Sequence, residues 1–310
     1  MEKNKKLITQ RISKVICFLL IFTAFLGIGS KIFIPKKNSA EYGNKNYYGN
    51  SYHGERANSI DIVVVGNSSA YKSFSPLELW NKYGYTSFVC GAPAQKIQEG
   101  YYMLENFLKE QKPKVVIYET EGIFNSYGKK IKSSYNQAKR DLIFLSNEID
   151  GINATLDVVT ANICPLLKYH NRWSSLKPED FTLEPDYSKH YVSKGYVLTN
   201  KVKPYRGNKN YMKPSDYTTP IQYTNLYYLN KMKELCDKNG AEFVLMSSPL
   251  PRAWNDERHK AVKAYAEKNN IKYLDTNLSI DEMKIDWSKD SSDKGYHLNA
   301  VSYTHLRAHE

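Results

Sequence analysis

A serine and a histidine stand near opposite ends of this 310-residue chain, each in a polar segment that follows an apolar one. Ser68 lies in GNSS, directly after an apolar run that ends at Val65. His297 lies in DKGYHLN, which also contains Asp293. A serine hydroxyl becomes an effective nucleophile when a base takes its proton, and that base needs an orienting acid. The two segments therefore contain the side-chain types of a serine-hydrolase site.

Two further residues bear on the same chemistry. Gly91 follows the next apolar run, where a glycine lets a backbone N–H approach a developing oxyanion. Asp290 competes with Asp293 for the role of orienting acid, and we favour Asp293. The cysteines are sparse and widely spaced, so we predict neither a disulfide framework nor a metal site, and no cofactor.

Short apolar strands alternate with helices from residue 59 onwards. The predicted order is strand 60–65, helix 76–83, strand 86–90, helix 96–111 and strand 114–118. The first of these helices has start and stop signals: Ser75 as N-cap, Pro76 in the first position, Glu78 to complete a capping box, and Gly84 as the stop.

The alternation resumes with helix 220–238, strand 242–247, helix 256–269 and strand 272–275. This order predicts an α/β domain, a flavodoxin-like three-layer α/β/α arrangement with about five parallel strands. The segment at about 126–218, with a predicted helix at 138–157 and loop-rich sequence after it, is interpreted as a cap insertion. In open α/β sheets ligands bind beyond the carboxyl ends of the strands, which is where Ser68 and Gly91 lie.

The N-terminus carries a membrane signal. An apolar run from Val15 to Ile34 is flanked by cations, and residues 1–37 carry +7 of the total net charge of +12. Such a run is long enough to span a bilayer, and the positive-inside rule predicts a cytoplasmic N-terminus and an extracytoplasmic body. We predict a cytoplasmic tail and transmembrane anchor at 1–37, with a cleaved signal peptide as the rival. Residues 38–58 are predicted to form a flexible tether.

The remaining charge argues against nucleic acid as a partner. Beyond residue 37 the chain is only mildly basic, and it has no Lys/Arg-rich stripe interleaved with aromatic residues. Most of the net charge therefore lies beside the apolar run, where it indicates the orientation of the chain in a membrane.

The two polar segments resemble sequence blocks of the SGNH/GDSL hydrolase superfamily. VVVGNSSAYKSFSP corresponds to the Gly-Asp-Ser block after strand one, and DKGYHLN to the Asp-x-x-His-type block near the C-terminus. The resemblance covers roughly 60–300 and implies Ser68 as nucleophile, His297 as general base and Asp293 as its partner. It also implies that the N–H groups of Ser68 and Gly91 form part of an oxyanion hole. More narrowly, the first block, the H-L-N ending, the HNRW segment (170–173) and the N-terminal anchor resemble cell-envelope members related to the D-alanyl-transfer proteins of teichoic-acid modification.

The chain also departs from the family pattern. Asn67 replaces the usual aspartate before the nucleophile, and Glu119-Thr120-Glu121 stands where the third block supplies an asparagine, so one oxyanion donor is missing. The Asp-to-His spacing is one residue longer than in the simplest pattern. His170 and Arg172 bind an anionic substrate or have a packing or surface role, and the sequence leaves both open.

We therefore expect an extracytoplasmic serine esterase or acyltransferase that acts on acyl esters of a cell-envelope polysaccharide or teichoic-type polymer. An acyl-transfer membrane protein is a candidate partner. The alternative is a non-catalytic assembly or binding protein with the same fold. A nucleotide-binding α/β protein is disfavoured because G-x-G-x-x-G and the P-loop lysine are absent. Residues 302–310 do not fit the family pattern and are interpreted as a non-native tail.

Overall fold

A computed structural model of the chain describes residues 2–36, 49, 51–125, 164–182 and 193–300. The chain divides into two compact units. The smaller comprises Met1–Asn44 and Leu156–Tyr187, and the larger comprises Lys45–Thr155 and Ser188–Glu310.

The larger unit is built on a parallel sheet. Its strands are β1 Ile62–Gly66, β2 Ser87–Gly91, β3 Val115–Glu119, β4 Glu242–Ser247 and β5 Lys272–Asp275. Their spatial order is β2-β1-β3-β4-β5, and every neighbouring pair is parallel. This is the flavodoxin-like order, so the predicted α/β class with five parallel strands is confirmed.

The structure has the four helices predicted in the α/β body, with bounds within a few residues of those expected. Its helices are α1 Glu2–Phe33, α2 Ser68–Ser73, α3 Pro76–Tyr83, α4 Ile97–Glu110, α5 Pro165–Tyr169, α6 Tyr223–Asn239 and α7 Asp256–Lys268. The short helices α2 and α5 were not predicted, and α1 begins before the predicted apolar run.

Packing on the two faces of the sheet follows the alternation of side chains along the strands. Val63 and Val65 lie in the main core with residues of α4, α6 and α7, whereas Val64 lies in a smaller cluster with Ala70 and Tyr71 of α2. Successive strand residues point to opposite faces, so both faces of β1 are covered. The turn that leaves β1 is consequently held between packed layers.

The ends of α3 agree with prediction in part. Gly84 follows the helix in the left-handed conformation, with φ of 71°, as its role as a stop requires. Ser75 is the N-cap residue, but its side chain forms no capping hydrogen bond, so the predicted capping box is wrong.

The ordered body begins earlier than predicted. Ser51–Gly54 forms a 3-10 turn, and the ring of Tyr52 packs edge-on against Phe88 and Phe107 at centroid distances of 6.2 and 5.0 Å. Tyr52 is only 2% exposed, so residues 51–58 are not free tether. The sequence did not predict this contact, because a single buried aromatic residue within an Asn/Gly-rich segment produces no periodic pattern.

The later part of the predicted insertion, from Ser188 onward, belongs to the larger unit. The carbonyl of Lys194 accepts a hydrogen bond of 2.9 Å from the N–H of Val89, which covers the free edge of β2. Further along, the N–H of Lys203 donates to the carbonyl of Ser291 at 2.8 Å. The predicted helix at 138–157 lies outside the described residues.

The smaller unit consists of α1 and the segment 164–182. This segment contains α5 and two 3-10 turns, His170–Ser174 and Pro178–Phe181, and all three elements contact α1. Within the described part of the chain, α1 is the one helix long and apolar enough to cross a membrane, and a signal sequence would have the same properties.

Candidate active site

Ser68, His297 and Asp293 meet at the carboxyl end of the sheet. The Oγ atom of Ser68 lies 2.8 Å from Nε2 of His297, and Nδ1 of the same imidazole is hydrogen-bonded to Oδ2 of Asp293. With its Nδ1 proton directed to the carboxylate, the imidazole presents Nε2 as an acceptor for the serine proton. This is the geometry of a serine-hydrolase triad.

The backbone around Gly66 determines where Ser68 stands. A Cβ atom at Gly66 would lie 2.8 Å from the Cβ atoms of Ala70 and Glu119, so only glycine allows the end of β1 to lie this close to both α2 and β3. Asn67 then caps α2, because its Oδ1 accepts a hydrogen bond of 2.8 Å from the N–H of Ser69. Ser68 is consequently the first residue of α2, at the exit of β1.

A tight loop presents the acid and the base together. Lys294 and Gly295 both have positive φ, 67° and 97°, which turns the chain back on itself. Asp293 Oδ1 therefore accepts hydrogen bonds from the N–H groups of Tyr296, at 3.1 Å, and His297, at 2.8 Å. One carboxylate oxygen thus orders the loop while the other orients the imidazole.

Asp290 has a different position from Asp293. Its side chain is buried, and Oδ2 accepts a hydrogen bond of 2.7 Å from the N–H of Asp286. The N–H of Asn299 donates to the Asp290 carbonyl at 3.0 Å. Asp290 therefore braces the base of the loop, and Asp293 is the carboxylate bonded to the imidazole.

The surroundings of His297 favour its neutral form. Burial lowers the pKa of His297 below its ordinary value, and the positive charge of Lys72 acts in the same direction. The hydrogen bond and negative charge of Asp293 oppose this shift without cancelling it. Lys72 Nζ lies 3.9 Å from Oδ2 of Asp293. A neutral imidazole is the form that can accept the serine proton.

Tyr71 and Lys72 were not predicted as site residues. Burial raises the pKa of Tyr71, and the Ser68 side chain partly opposes the rise. Residues three and four positions along a helix lie on the same face, so both follow from Ser68 once α2 is known to be helical. The missed signal was therefore the helix itself.

Gly91 lies beside the backbone that leads into Ser68. It ends β2 opposite Gly66 in the sheet register, and a Cβ atom on it would lie 3.1 Å from the Gly66 carbonyl oxygen. Ser68 opens α2, where first-turn N–H groups have no acceptor within the helix. The participation of both N–H groups in an oxyanion hole stays a prediction.

Carboxylates occupy the end of β3, where the third sequence block of the SGNH/GDSL pattern has an asparagine. The side-chain amides of Asn67 and Asn125 both donate to Glu121, the latter at 3.0 Å. Glu119 is fully buried; burial, aided by the charge of Glu121, raises its pKa to about 8. The third oxyanion donor is therefore not supplied by Glu121, which cannot donate when ionised.

Of the roles considered for Arg172, its burial fits a packing role. It lies in the smaller unit, is 7% exposed, and its guanidinium contacts Oδ1 of Asp180 at 2.7 Å. His170 is exposed, and its Nδ1 lies 2.7 Å from the carbonyl oxygen of Leu167. Among the described residues, no group of three or more His, Cys, Asp or Glu side chains is arranged to hold a metal ion.

The chain has only weak similarity to known proteins. No family model matches the chain, and no curated protein matches it. Two similar solved structures are a Bacteroides fragilis protein described as an acylhydrolase and a GDSL-like lipase of Bacteroides thetaiotaomicron. Each is 13% identical with a TM-score of 0.37, and the matches cover 84% of this chain and 90% and 95% of theirs. Similarity at this level shows neither a shared family nor a shared activity.

Proposed function

We propose that this protein is a serine esterase or O-acyltransferase of the SGNH/GDSL type. The observation that carries the proposal is the 2.8 Å contact between Ser68 Oγ and His297 Nε2, with Asp293 bonded to the opposite nitrogen of the imidazole. Ser68 is positioned by the Asn67 cap of α2, and the positive φ angles at Lys294 and Gly295 bring Asp293 and His297 together from the other end of the chain.

The chemistry follows from these contacts. His297 accepts the proton of Ser68 as Oγ attacks the carbonyl carbon of an ester, and Asp293 stabilises the imidazolium that forms. The negative charge on the carbonyl oxygen is stabilised by the N–H groups of Ser68 and Gly91. The tetrahedral intermediate then collapses; His297 returns the proton to the departing alcohol, and the acyl group remains on Ser68. Water or a second hydroxyl accepts that acyl group by the reverse sequence.

The substrate we propose is an acyl ester on a cell-envelope polysaccharide or teichoic-type polymer. The support is the apolar helix α1, which with its flanking cations predicts an anchor and an extracytoplasmic larger unit. An acyl-transfer membrane protein is the proposed donor partner, because a nucleophile in this compartment needs an activated or polymer-bound acyl group. Nucleic acid has no part in this function.

Hydrolysis of a simple ester tests the reaction class. We expect the full-length protein in detergent micelles to hydrolyse p-nitrophenyl acetate, and Ser68→Ala to reduce kcat by on the order of 10³-fold or more. Ser69→Ala, at the neighbouring position, is the matched control and should keep most of the activity. Wild-type protein that is folded but no faster than Ser68→Ala would contradict the proposal.

One observation favours the non-catalytic alternative. The carboxylate of Glu121 stands where the related hydrolases place an oxyanion donor, and a negative charge there opposes a developing oxyanion. In that alternative the protein binds an envelope polymer without cleaving it. Retained polymer binding by wild type and Ser68→Ala alike, with no turnover by either, would decide for this second function.

A further inference from the structure

The end of α1 is covered by other parts of the smaller unit, whereas the rest of the helix is not. Residues 6–25 are exposed along their whole length, but Ser30, Pro35 and Lys36 are buried. A helix rises about 1.5 Å per residue, so the apolar run from Val15 to Ile34 has about the thickness of a bilayer core. The covered residues near Ser30 and Pro35 therefore belong at the membrane–water interface, and the exposed residues from Val15 to Phe25 belong to the hydrocarbon.

Specific contacts hold the segment 164–182 against that end of α1. The N–H of Leu166 donates to Ser30 Oγ at 3.2 Å, and a Cβ atom on Gly29 would lie 3.2 Å from Leu166 Cδ2. Arg172 donates through Nη1 to the carbonyl of Phe33, one of the last carbonyls of the helix, and through Nη2 to Asp180. Basic side chains stabilise helix C-terminal carbonyls in this way.

The same segment leaves large apolar side chains uncovered. Leu167 is 59% exposed, Trp173 is 74% exposed and Phe181 is 60% exposed, one in each of its three short elements. Meanwhile the charged neighbours Arg172 and Asp180 are turned inward and paired. The segment therefore buries one ion pair while it exposes a large apolar side chain in each of its three short elements, which is an unusual arrangement for a surface that faces water.

We propose that the segment 164–182 is a membrane-interface element, with the side chains of Leu167, Trp173 and Phe181 inserted among lipid headgroups and upper acyl chains. The occupant of this surface is the bilayer itself. The surface is continuous with a helix whose exposed length matches a bilayer, and every element of the segment contacts that helix near the depth at which tryptophan and other aromatic residues concentrate.

The same contacts imply that α1 is retained rather than removed as a signal peptide. Ser30 and the carbonyl of Phe33 are partners of a folded segment more than a hundred residues away. Cleavage after α1 would leave the guanidinium of Arg172 without one of its acceptors in a buried position, which is costly. The segment and the helix therefore form one membrane-associated unit.

Quenching of tryptophan fluorescence by brominated lipids tests this placement. The full-length protein is reconstituted into phosphatidylcholine–phosphatidylglycerol vesicles that carry bromine on the upper acyl chain. The other tryptophans are Trp80, which is 53% exposed, and Trp254 and Trp287, which are each 3% exposed. We expect the bromolipid to quench wild type, Trp173→Phe to lose that quenching, and the matched control Trp80→Phe to keep it.

A second variant separates placement of the segment from a local effect at one position. Phe181→Trp combined with Trp173→Phe should restore quenching, because it returns an indole to the same interface. Quenching that is absent in wild type, unchanged in Trp173→Phe, or not restored by Phe181→Trp would overturn the proposal. Absent quenching in wild type would place the surface against water or a protein instead of lipid.

Discussion

The protonation of one imidazole governs the chemistry at the scale of single residues. His297 is largely buried between Ser68 and Asp293, and burial together with the charge of Lys72 lowers its pKa. Asp293 counteracts this by favouring the imidazolium. A base with a pKa below its ordinary value is neutral over the physiological range, so the resting site is ready to accept a proton.

Removing the charge of Lys72 should shift the acid limb of the pH–rate profile. Lysine disfavours the imidazolium, so Lys72→Met raises the pKa of His297, and activity is lost at a higher pH than in wild type. Lys72→Arg keeps the charge and should keep the wild-type limb. The measurement is kcat/KM for a simple ester as a function of pH. A limb that moves to lower pH in Lys72→Met, or moves equally in both variants, would refute this role.

The two candidate acids should respond differently to amidation. Asp293→Asn removes the acceptor of the imidazole Nδ1 proton and should reduce kcat by roughly 10²- to 10⁴-fold while the protein stays folded. Asp290→Asn alters a buried brace of the loop, so its main effect should be a lower melting temperature. Kinetics and thermal unfolding on both variants make the comparison. Equal kinetic losses at equal stability would show that the assignment of roles is wrong.

The three residues of the candidate triad could be predicted from the sequence, but their immediate neighbours could not. Ser68, His297 and Asp293 could be paired because their types and their positions after apolar runs indicate chemistry without any coordinates. Tyr71 and Lys72 act through α2, which is too short to show a helical period. Residue types therefore predict a nucleophile and base, whereas the tuning of that base depends on geometry that composition does not contain.

At the scale of elements, a buried polar network holds the carboxyl ends of β4 and β5 together. Asp275 Oδ2 accepts hydrogen bonds from Trp254 Nε1 at 3.0 Å and from Tyr273 at 3.0 Å, and lies 2.7 Å from His259 Nδ1. Asn277 contacts the other carboxylate oxygen. Burial alone would raise the pKa of Asp275, but the hydrogen bonds outweigh it and the pKa is lowered.

Removing this carboxylate should destabilise the larger unit. Asp275→Ala leaves several buried donors without an acceptor and should lower the free energy of unfolding by about 3 kcal/mol. Asp237→Ala, which removes an exposed partner of Lys233, is the matched control and should cost about 0.5 kcal/mol or less. Urea unfolding monitored by fluorescence gives both values. Equal losses would mean that the network does not stabilise the fold.

At acidic pH, the free energies of unfolding of Asp275→Ala and wild type should become more similar. The folded pKa of Asp275 lies below its ordinary value of 3.8, so its contribution is fully present above that value. The contribution is lost as pH falls through the lower folded pKa, where the carboxylate becomes protonated. Unfolding of both proteins down to acidic pH checks the sign.

Elements with a periodic apolar pattern could be predicted from the sequence, whereas a contact made by one isolated aromatic residue could not. Strands β4 and β5 begin and end at the predicted residues because apolar runs bounded by turn residues indicate strands directly. The 3-10 turn at Ser51–Gly54 was assigned to the tether, since one tyrosine among Asn and Gly residues has no period. Its burial against Phe88 becomes visible only when β2 and α4 are in place.

At the scale of the whole molecule, the chain folds into a smaller unit that contains the apolar helix α1 and a larger α/β unit. The smaller unit contains both α1 and a segment more than a hundred residues later in the chain, so it forms only if α1 remains attached. This is why we propose that the mature protein keeps α1.

We expect the mature protein to keep α1. Membranes from cells that produce the full chain should retain the protein after an alkaline carbonate wash, and its intact mass should include residues 1–37. Arg172→Met serves as a comparison, since it weakens the hold of segment 164–182 on α1 without changing the apolar run. A protein released in soluble form that begins after α1 would show that the helix is a signal peptide.

Covalent labelling of Ser68 tests the central claim most directly. The full-length protein is treated with a fluorophosphonate, digested, and analysed by mass spectrometry. We predict a single adduct on the peptide that contains Ser68, no adduct in Ser68→Ala, strongly slowed labelling in His297→Gln, and normal labelling in Ser69→Ala. A folded wild-type protein that takes up no label, or a label that persists in Ser68→Ala, would contradict the assignment of Ser68 as the nucleophile.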